Sequence, residues 1–354
     1  MLAAVWYAPN DVRLEEREVP RILPGTLLIK VKACAICGSD LRIFREGNSR
    51  VEPSRILGHE IAGEVVEVGA GVMNYSVGDS VSTGADIPCG ECSHCLSGRP
   101  NCCDINYAIG YQFDGGYAEY IRLDPLVVKN GPLQKFNAVL PWQNAALAEP
   151  LACCINGYER ALYHKGMGGS VVIFGAGPIG LMLLMLGKQY YGVDNVVVIE
   201  PSETRRNLAL AFGADLVIDP DITQSVDEVM AFTENQGAQV VFTACPILET
   251  HNLAVQMVAK RGVVNFFGGL PKTAPAIDIL SNFLHYREAY ITGSHGSTPA
   301  QHKRALDLIA TGIVDVSKVV SKTVGLKDIH KGFDLARSGT VAKVVITPDD
   351  ALIT

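Results

Sequence analysis

The chain has 354 residues, 48% of them apolar and 19% charged, enough for two domains with full cores. Its formal net charge of −7 argues against a nucleic-acid binder, which needs a basic footprint, and no apolar run reaches the roughly 20 residues of a membrane-spanning helix. The uncharged start, Met1 to Tyr7, is too short for a signal peptide, so a cytoplasmic protein is expected, with its ten cysteines read as metal ligands or buried thiols rather than disulfides.

Residues 1–33 alternate short apolar runs with turns, as in Leu27-Leu28-Ile29-Lys30-Val31, and predict strands of a half-buried sheet. The run Cys34-Ala35-Ile36-Cys37-Gly38-Ser39-Asp40 then ends a strand and starts a helix near Ser39, with Asp40 in the first turn where the dipole favours an acid. Cys34, among apolar neighbours, is expected to be a buried small hydrophobe. Cys37 is the candidate ligand. In Gly58-His59-Glu60 the two polar side chains would face opposite ways on a regular strand, but a turn or bulge can aim both into a cleft.

Cys89, Cys92 and Cys95 follow at C-x-x-C-x-x-C spacing, with Cys102 and Cys103 further along a loop that also holds Gly98 and Pro100. Four thiolates this close, without apolar periodicity, point to tetrahedral zinc in a closed structural site. Spacing alone leaves Cys102 and Cys103 competing for the fourth place. His94 is expected to lie exposed on that loop. A turn and strand are predicted over 110–121, and a helix over 136–147. That helix leads into Ala148-Glu149-Pro150-Leu151-Ala152-Cys153-Cys154, where an acid and two thiols are all potential ligands.

Beyond this point strands and helices alternate. Ser170 to Leu181 reads as a buried strand, a glycine turn and a helix start. Gly175 permits the turn, Gly177 lets backbone approach a pyrophosphate, and Gly180 lets helix and strand pack closely. The helix N-terminus, which opens at Pro178 and Ile179, offers the free N–H groups of its first turn, from Ile179 onward, to phosphate. Glu200, twenty residues after Gly180 at the end of the next strand, is placed to accept bonds from ribose hydroxyls and to repel a 2′-phosphate, which favours NAD over NADP. Arg205 and Arg206 are the features that weaken that preference. Strands follow at 216–219, 239–244, 262–268 and 289–294, with helices near 225–235 and 249–259, giving a doubly wound parallel sheet. A helix over 299–311, a helix near 326–336 and a strand over 342–346 form a tail too poor in apolar residues for its own core. It is expected to return to the first domain.

As a set, Cys37-Gly38-Ser39-Asp40, Gly58-His59-Glu60, the four-cysteine lobe, Gly175 to Gly180, and the late helix and strand resemble the zinc-dependent medium-chain dehydrogenase/reductase superfamily, over nearly the whole chain. Glu149-Pro150-Leu151 is most similar to the polyol, or sorbitol-type, branch, which has a glutamate where liver-type alcohol dehydrogenases have a ligand cysteine. The resemblance implies an α/β fold: a GroES-like β-rich catalytic domain, residues 1–151 and 295–354, and a Rossmann cofactor domain, residues 152–294. It implies Cys37, His59 and Glu149 around a catalytic zinc, with Glu60 beside the metal, and it favours Cys103 over Cys102 in a structural zinc site with Cys89, Cys92 and Cys95. Gly175, Gly177, Pro178, Ile179, Gly180, Glu200 and Arg205 would bind NAD.

The implied reaction is hydride transfer from a secondary alcohol of a polyol, sugar, sugar phosphate or cyclitol to NAD+, with zinc as Lewis acid and Ser39 as the hydroxyl that takes the substrate proton. A threonine- or butanediol-type dehydrogenase is the alternative within the superfamily. A non-catalytic NAD-binding zinc protein would require the Cys37, His59, Glu149 set to be broken, and it is intact. Two zinc ions per chain and a homodimer or homotetramer are expected, the latter through the last strand of the cofactor domain. Cys153 and Cys154 are left to begin a buried helix. Two departures stand out. Arg42 occupies the place of a relay histidine, and Gly293-Ser294-His295-Gly296 replaces larger polar side chains, making Ser294 and His295 candidate substrate contacts.

Overall fold

The computed structural model describes residues 1–220, 222–271 and 273–353, without the side chains of 222–224. The chain forms two compact units, Met1–Ala152 with Gly296–Thr354, and Cys153–His295. Among the described residues no helix is long and apolar enough to cross a membrane.

The first unit is built on the strand Leu27–Ala35, of which only Lys30 is fully exposed. It pairs antiparallel with Glu60–Val68 along most of its length, and with Tyr120–Leu123 at its start. Its other end pairs with Lys343–Thr347 from the tail, Val345 opposite Ala35 and Ile346 opposite Cys34. The tail strand therefore completes the sheet that carries the Cys34–Cys37 segment. Ser80–Thr83 and Gln134–Phe136 extend one edge, and Val320–Gly325 the other. The core packs Phe44 on Phe333 with ring centroids 5.2 Å apart, and Tyr117 edge-on against Phe333 at 5.8 Å. The tail helix Pro299–Ala310 starts at a capping box: Thr298 Oγ1 accepts from the Gln301 amide at 3.2 Å, and Gln301 Oε1 accepts from the Thr298 amide at 2.8 Å.

The second unit is a six-stranded, all-parallel sheet in the spatial order Leu216–Ile218, Asn195–Ile199, Ser170–Phe174, Ala238–Thr243, Val258–Phe266, Tyr290–Gly293. Strands covered on both faces read as unbroken apolar runs, and the five residues of Ser170–Phe174 are all buried. The strand order reverses between Ser170–Phe174 and Ala238–Thr243, the place where such sheets bind ligands beyond the strand ends.

Several local expectations change. The helix expected over 136–147 is only Trp142–Ala146, because residues up to Phe136 pair with Ser80–Thr83 and Pro141 then starts the helix. The helix around Cys153 and Cys154 begins earlier, at Ala148, so Glu149 lies in its first turn, where an acid suits the dipole. Helix Leu248–Met257 runs directly into a strand at Val258, drawn into pairing with Ala238, where a helix to 259 was expected. Helix Ser281–Arg287 had no counterpart in the sequence pattern.

Candidate active site and metal centres

Cys37 sits at the N-cap of helix Gly38–Glu46, in a capping box whose other half is the Asp40 carboxylate. His59 follows Gly58, whose φ of +92° turns the chain just before strand Glu60–Val68. The turn does what a regular strand would not: ligand atoms of Cys37, His59 and Glu60 all lie within 4.8 Å of one another. His59 and Glu60 are buried.

Asp40 orients this group. Its Oδ1 lies 3.3 Å from His59 Nδ1, while its Oδ2 accepts from the Tyr117 hydroxyl at 2.8 Å and the Cys37 amide at 3.1 Å. His59 Nε2 is thus the nitrogen left for chemistry, and Ser39 Oγ lies 3.4 Å from it. The Oδ1–Nδ1 approach is a charge contact rather than a hydrogen bond, since neither atom has a hydrogen-bond partner, and it sets the Asp40 charge behind the ring. On the other side, Lys343 Nζ lies 2.6 Å from Glu60 Oε1, and Glu60 Oε2 is buried with no hydrogen-bond partner. Glu149 is buried beside the trio but stands outside its 4.8 Å set.

The electrostatics describe a centre that attracts a cation. Burial opposes charge on His59, yet the Asp40 and Cys37 charges outweigh it and hold the imidazole pKa well above its ordinary value. Burial raises the Glu60 carboxyl, against the pull of Lys343 and His59. Burial also pushes Glu149 up to about 8, with Glu60 and Asp86 adding to the rise and His59 and Lys343 opposing it. One thiol, one imidazole nitrogen and an orphaned carboxylate oxygen suit zinc, which replaces the proton these groups would otherwise share.

The four-cysteine lobe is equally well formed. Sulfur separations are 3.8 Å for Cys89–Cys95, 3.5 Å for Cys92–Cys95 and 4.0 Å for Cys92–Cys103. A tetrahedral zinc with sulfurs at about 2.3 Å has edges of about 3.8 Å. Cys103 belongs to the set and Cys102 is exposed. Burial acts to raise the Cys103 thiol, but the amides of Asn106, Cys89 and Ile105 outweigh it and hold the pKa down to about 6. His94 is half-buried rather than exposed and lies 3.7 Å from Asp104, outside the cage.

In the second unit, the Gly175–Gly180 turn joins strand Ser170–Phe174 to helix Pro178–Leu186. A Cβ at Gly180 would lie 1.9 Å from the Gly175 carbonyl oxygen, whereas one at Gly177 would meet nothing within 4 Å. The first glycine is needed for packing. The absence of a side chain at Gly177 leaves the approach to the Ile179 amide open, Pro178 having no N–H of its own. Glu200 is buried, its Oε2 accepting from the Ala176 amide at 2.8 Å and its Oε1 from the Ser202 amide at 3.0 Å. A cleft of about 460 Å³ beside it is lined by Gly175, Glu200, Arg205, Cys245, Thr250 and Leu253 among others. Arg206 points elsewhere, bonded to the Glu200 and Pro201 carbonyls and lying 3.0 Å from Asp219.

Asp40, Lys343 and Tyr111, whose ring centroid is 6.4 Å from that of His59, were not singled out from sequence as site residues. Two signals are present in the sequence: Asp40 stands at capping-box spacing from Cys37, and Lys343 precedes the apolar run Val344-Val345-Ile346. Arg42 is exposed. Ser294 is bonded to Asn265 Oδ1 at 2.9 Å, and the exposed His295 accepts from Asn156 through its backbone oxygen. Cys154 is buried, with its sulfur 3.8 Å from the Ile179 carbonyl, and neither it nor Cys153 belongs to a metal-ligand group among the described residues.

Residues 23–130 match the alcohol dehydrogenase GroES-like domain, and residues 178–311 the zinc-binding dehydrogenase domain. An L-threonine 3-dehydrogenase of Pyrococcus furiosus is 35% identical over 351 residues, covering 98% of this chain and 98% of its own. A scyllo-inosose 3-dehydrogenase of Thermotoga maritima is 34% identical, covering 92% of this chain and 86% of its own. The crystal structure of 2R,3R-butanediol dehydrogenase from Bacillus subtilis aligns with a TM-score of 0.87 at 29% identity, over 98% of this chain and 99% of that one. Likeness of this extent in sequence and fold, on a chain that keeps the thiol–imidazole–carboxylate centre, places it in the zinc-dependent medium-chain dehydrogenase/reductase superfamily, as an oxidoreductase of the zinc-containing alcohol dehydrogenase type.

Proposed function

We propose that this enzyme uses NAD+ to oxidise a secondary alcohol whose neighbouring carbon carries an amine or a second hydroxyl, with a threonine-type amino alcohol as the leading substrate. The observation behind the substrate class is the 35% identity to an L-threonine 3-dehydrogenase along nearly the whole of both chains. This reverses the order expected from sequence, in which polyols came first. Glu149 makes the metal site more polar than a cysteine would, but that polarity serves an amino alcohol as well as a polyol, so it does not separate them. The relative named for scyllo-inosose keeps a polyol or cyclitol as the second reading.

In this reading Cys37, His59 and Glu149 would hold the catalytic zinc, with Glu60 beside it and one position left open, and Cys89, Cys92, Cys95 and Cys103 would hold a second, structural one. When bound, zinc supplies a Lewis acid toward the alcohol oxygen, and the nicotinamide ring accepts the hydride. Asp40 keeps Nε2 of His59 facing the centre. Ser39, 3.4 Å from that nitrogen, is placed to take the alcohol proton at its Oγ. Lys343 balances the Glu60 charge. Glu200 holds the adenosine ribose and disfavours a 2′-phosphate, while Arg205 lines the same cleft.

The enzyme is further proposed to be cytoplasmic and to act as a homodimer or homotetramer. The edge strand Tyr290–Gly293 pairs on one side only, and Tyr290 and Tyr286 nearby are 51% and 76% exposed. Light scattering on the purified chain tests the assembly.

The substrate reading is tested by NADH formation over L-threonine, 2,3-butanediol, sorbitol and inositols, with zinc measured on the same sample. Highest kcat/KM for threonine supports the leading reading, and highest for a polyol or inositol supports the second. No turnover with any of them on a fully zinc-loaded sample would overturn both.

A further inference from the structure

Strand Val258–Phe266 lies inside the parallel sheet, where strands read as apolar runs, yet Asn265 stands near its end with 0% exposure. Asparagine is poorly suited to strands, and a buried amide without partners is costly, so the position calls for a reason. Its carboxamide bridges two other segments of the second unit. Nδ2 donates to the Gly157 carbonyl at 3.1 Å, and Oδ1 accepts from the Ser294 hydroxyl at 2.9 Å. A carbonyl can only accept, so the amide has one orientation and the Ser294 hydroxyl donates to it.

Asn265 sits at the edge of the sheet from which the glycine loop springs. Phe174, Thr243, Phe266 and Gly293 form one row across four parallel strands. The residues that follow them, Gly175, Ala244, Phe267 and Ser294, therefore leave the sheet on the same side. A dinucleotide bound at the first of these turns has one mononucleotide on each side of the reversal in strand order, so its other half extends over the later strand ends. Those ends are open: Phe267 and Ser294 are half-buried and Gly293 is exposed. They are also held from both faces, because Asn265 and Phe266 point opposite ways. On one face Asn265 ties them to helix Ala148–Arg160 at Gly157, where a Cβ would lie 3.0 Å from the Phe267 ring, and Asn156 donates to the His295 carbonyl at 3.2 Å. On the other, the His251 ring stacks on Phe266 with centroids 4.3 Å apart, and its Nε2 lies 3.2 Å from Thr243 Oγ1.

We propose that Asn265 is a positioning residue for the nicotinamide half of the cofactor. By holding the Ser294 hydroxyl and the Gly157 carbonyl at once, its carboxamide sets the spacing between the ends of strands Val258–Phe266 and Tyr290–Gly293, on which that half rests. The inference rests on the reading of NAD as the cofactor. It assigns Ser294 to the support of the cofactor rather than to substrate contact. A leucine at 265 has a similar volume and neither bond, so it frees the two strand ends from each other. The adenosine half lies across the reversal in strand order, in the cleft beside Glu200, and does not depend on this tie.

The test compares the affinity for NADH with that for ADP-ribose, which lacks the nicotinamide, by calorimetric titration of the wild type, Asn265→Leu, Ser294→Ala and Ser294→Thr. The expected result is that Asn265→Leu and Ser294→Ala each weaken NADH by about three- to tenfold, the worth of a lost hydrogen bond, and leave ADP-ribose unchanged. Ser294→Thr keeps the hydroxyl and should bind both ligands as the wild type does. A misplaced ring should also lower kcat, by about 100-fold for a shift of about 1 Å. Unchanged ADP-ribose affinity reports that each variant is folded. If Asn265→Leu weakens both ligands alike, or neither, the positioning role is wrong. If that variant does not fold, the two Ser294 variants decide on the same criterion. A Ser294→Ala protein that binds NADH as the wild type does, and instead raises KM for the alcohol, would return Ser294 to the substrate and overturn the proposal. If the wild type binds neither NADH nor ADP-ribose, the cofactor reading itself fails, and the role of Asn265 with it.

Discussion

Lys343 and Glu60 stand 283 positions apart in the chain, yet Nζ lies 2.6 Å from Oε1 with both side chains buried. The sheet register produces this contact. Ala35 pairs with Glu60 on one side and with Val345 on the other, so the tail strand delivers Lys343 to the neighbourhood of the centre. Burial works against charge on Lys343, but Glu60 outweighs it and holds the ammonium above its ordinary pKa.

Removing one member of a buried pair leaves the other charge uncompensated, at about 3–5 kcal/mol. Lys343→Met is therefore expected to lower stability by about 3 kcal/mol. The double variant Lys343→Met/Glu60→Gln should recover part of that loss. Urea denaturation of the three proteins checks it, and a double variant no better than the single one would show that the pair is not coupled.

The adjacent thiols Cys102 and Cys103 separate cleanly. Cys103→Ser should drop the zinc content by one per chain and lower the thermal midpoint, because the loop loses its staple. Cys102→Ser should change neither. Metal analysis and a melting curve on each variant decide between them.

Much of the site was legible in the sequence wherever ligands lie close together along the chain. The cysteine lobe and the glycine loop each fall within about fifteen residues, and for these local spacing fixes the chemistry in advance. The rest depends on pairing between distant segments. Lys343 comes from the tail, and nothing in its own neighbourhood records that Glu60 awaits it. Asp40 was read for its helix position alone, yet the same carboxylate that caps the helix also faces His59. A helix expected from Cys153 leaves Glu149 ahead of it, whereas the helix starts at Ala148 and holds Glu149 in its first turn, where Pro150 is tolerated.

Cofactor choice is expected to depend on Glu200. Its two carboxylate oxygens hold the Ala176 and Ser202 amides, so it shapes the glycine turn as well as facing the cleft. Hydrogen bonds to a charged group contribute about 1.5–3 kcal/mol. Glu200→Ala should lower kcat/KM for NAD+ by about tenfold or more and narrow the preference over NADP+. An unchanged ratio of the two would remove Glu200 from the ribose site.

Acid stability should carry the signature of His302. Burial depresses its pKa to about 4, with the Ser82 backbone opposing the shift. An unfolded histidine titrates near 6.5. Above that value both states are neutral and the group has no effect. As pH falls from about 6.5 to about 4 only the unfolded chain takes up the proton, so stability falls across that window. The loss between pH 7 and pH 5 is about 2 kcal/mol. His302→Asn should lack this component, and denaturation curves of both proteins at the two pH values measure the difference.

The central claim is that Cys37, His59 and the neighbouring carboxylates hold the zinc on which turnover depends. The most direct measurement is NADH formation by the wild type and Cys37→Ser with the best substrate, alongside NAD+ binding to both. The account predicts that the variant loses turnover and one zinc per chain while binding NAD+ nearly as well as the wild type. A variant that turned over at the wild-type rate would contradict it.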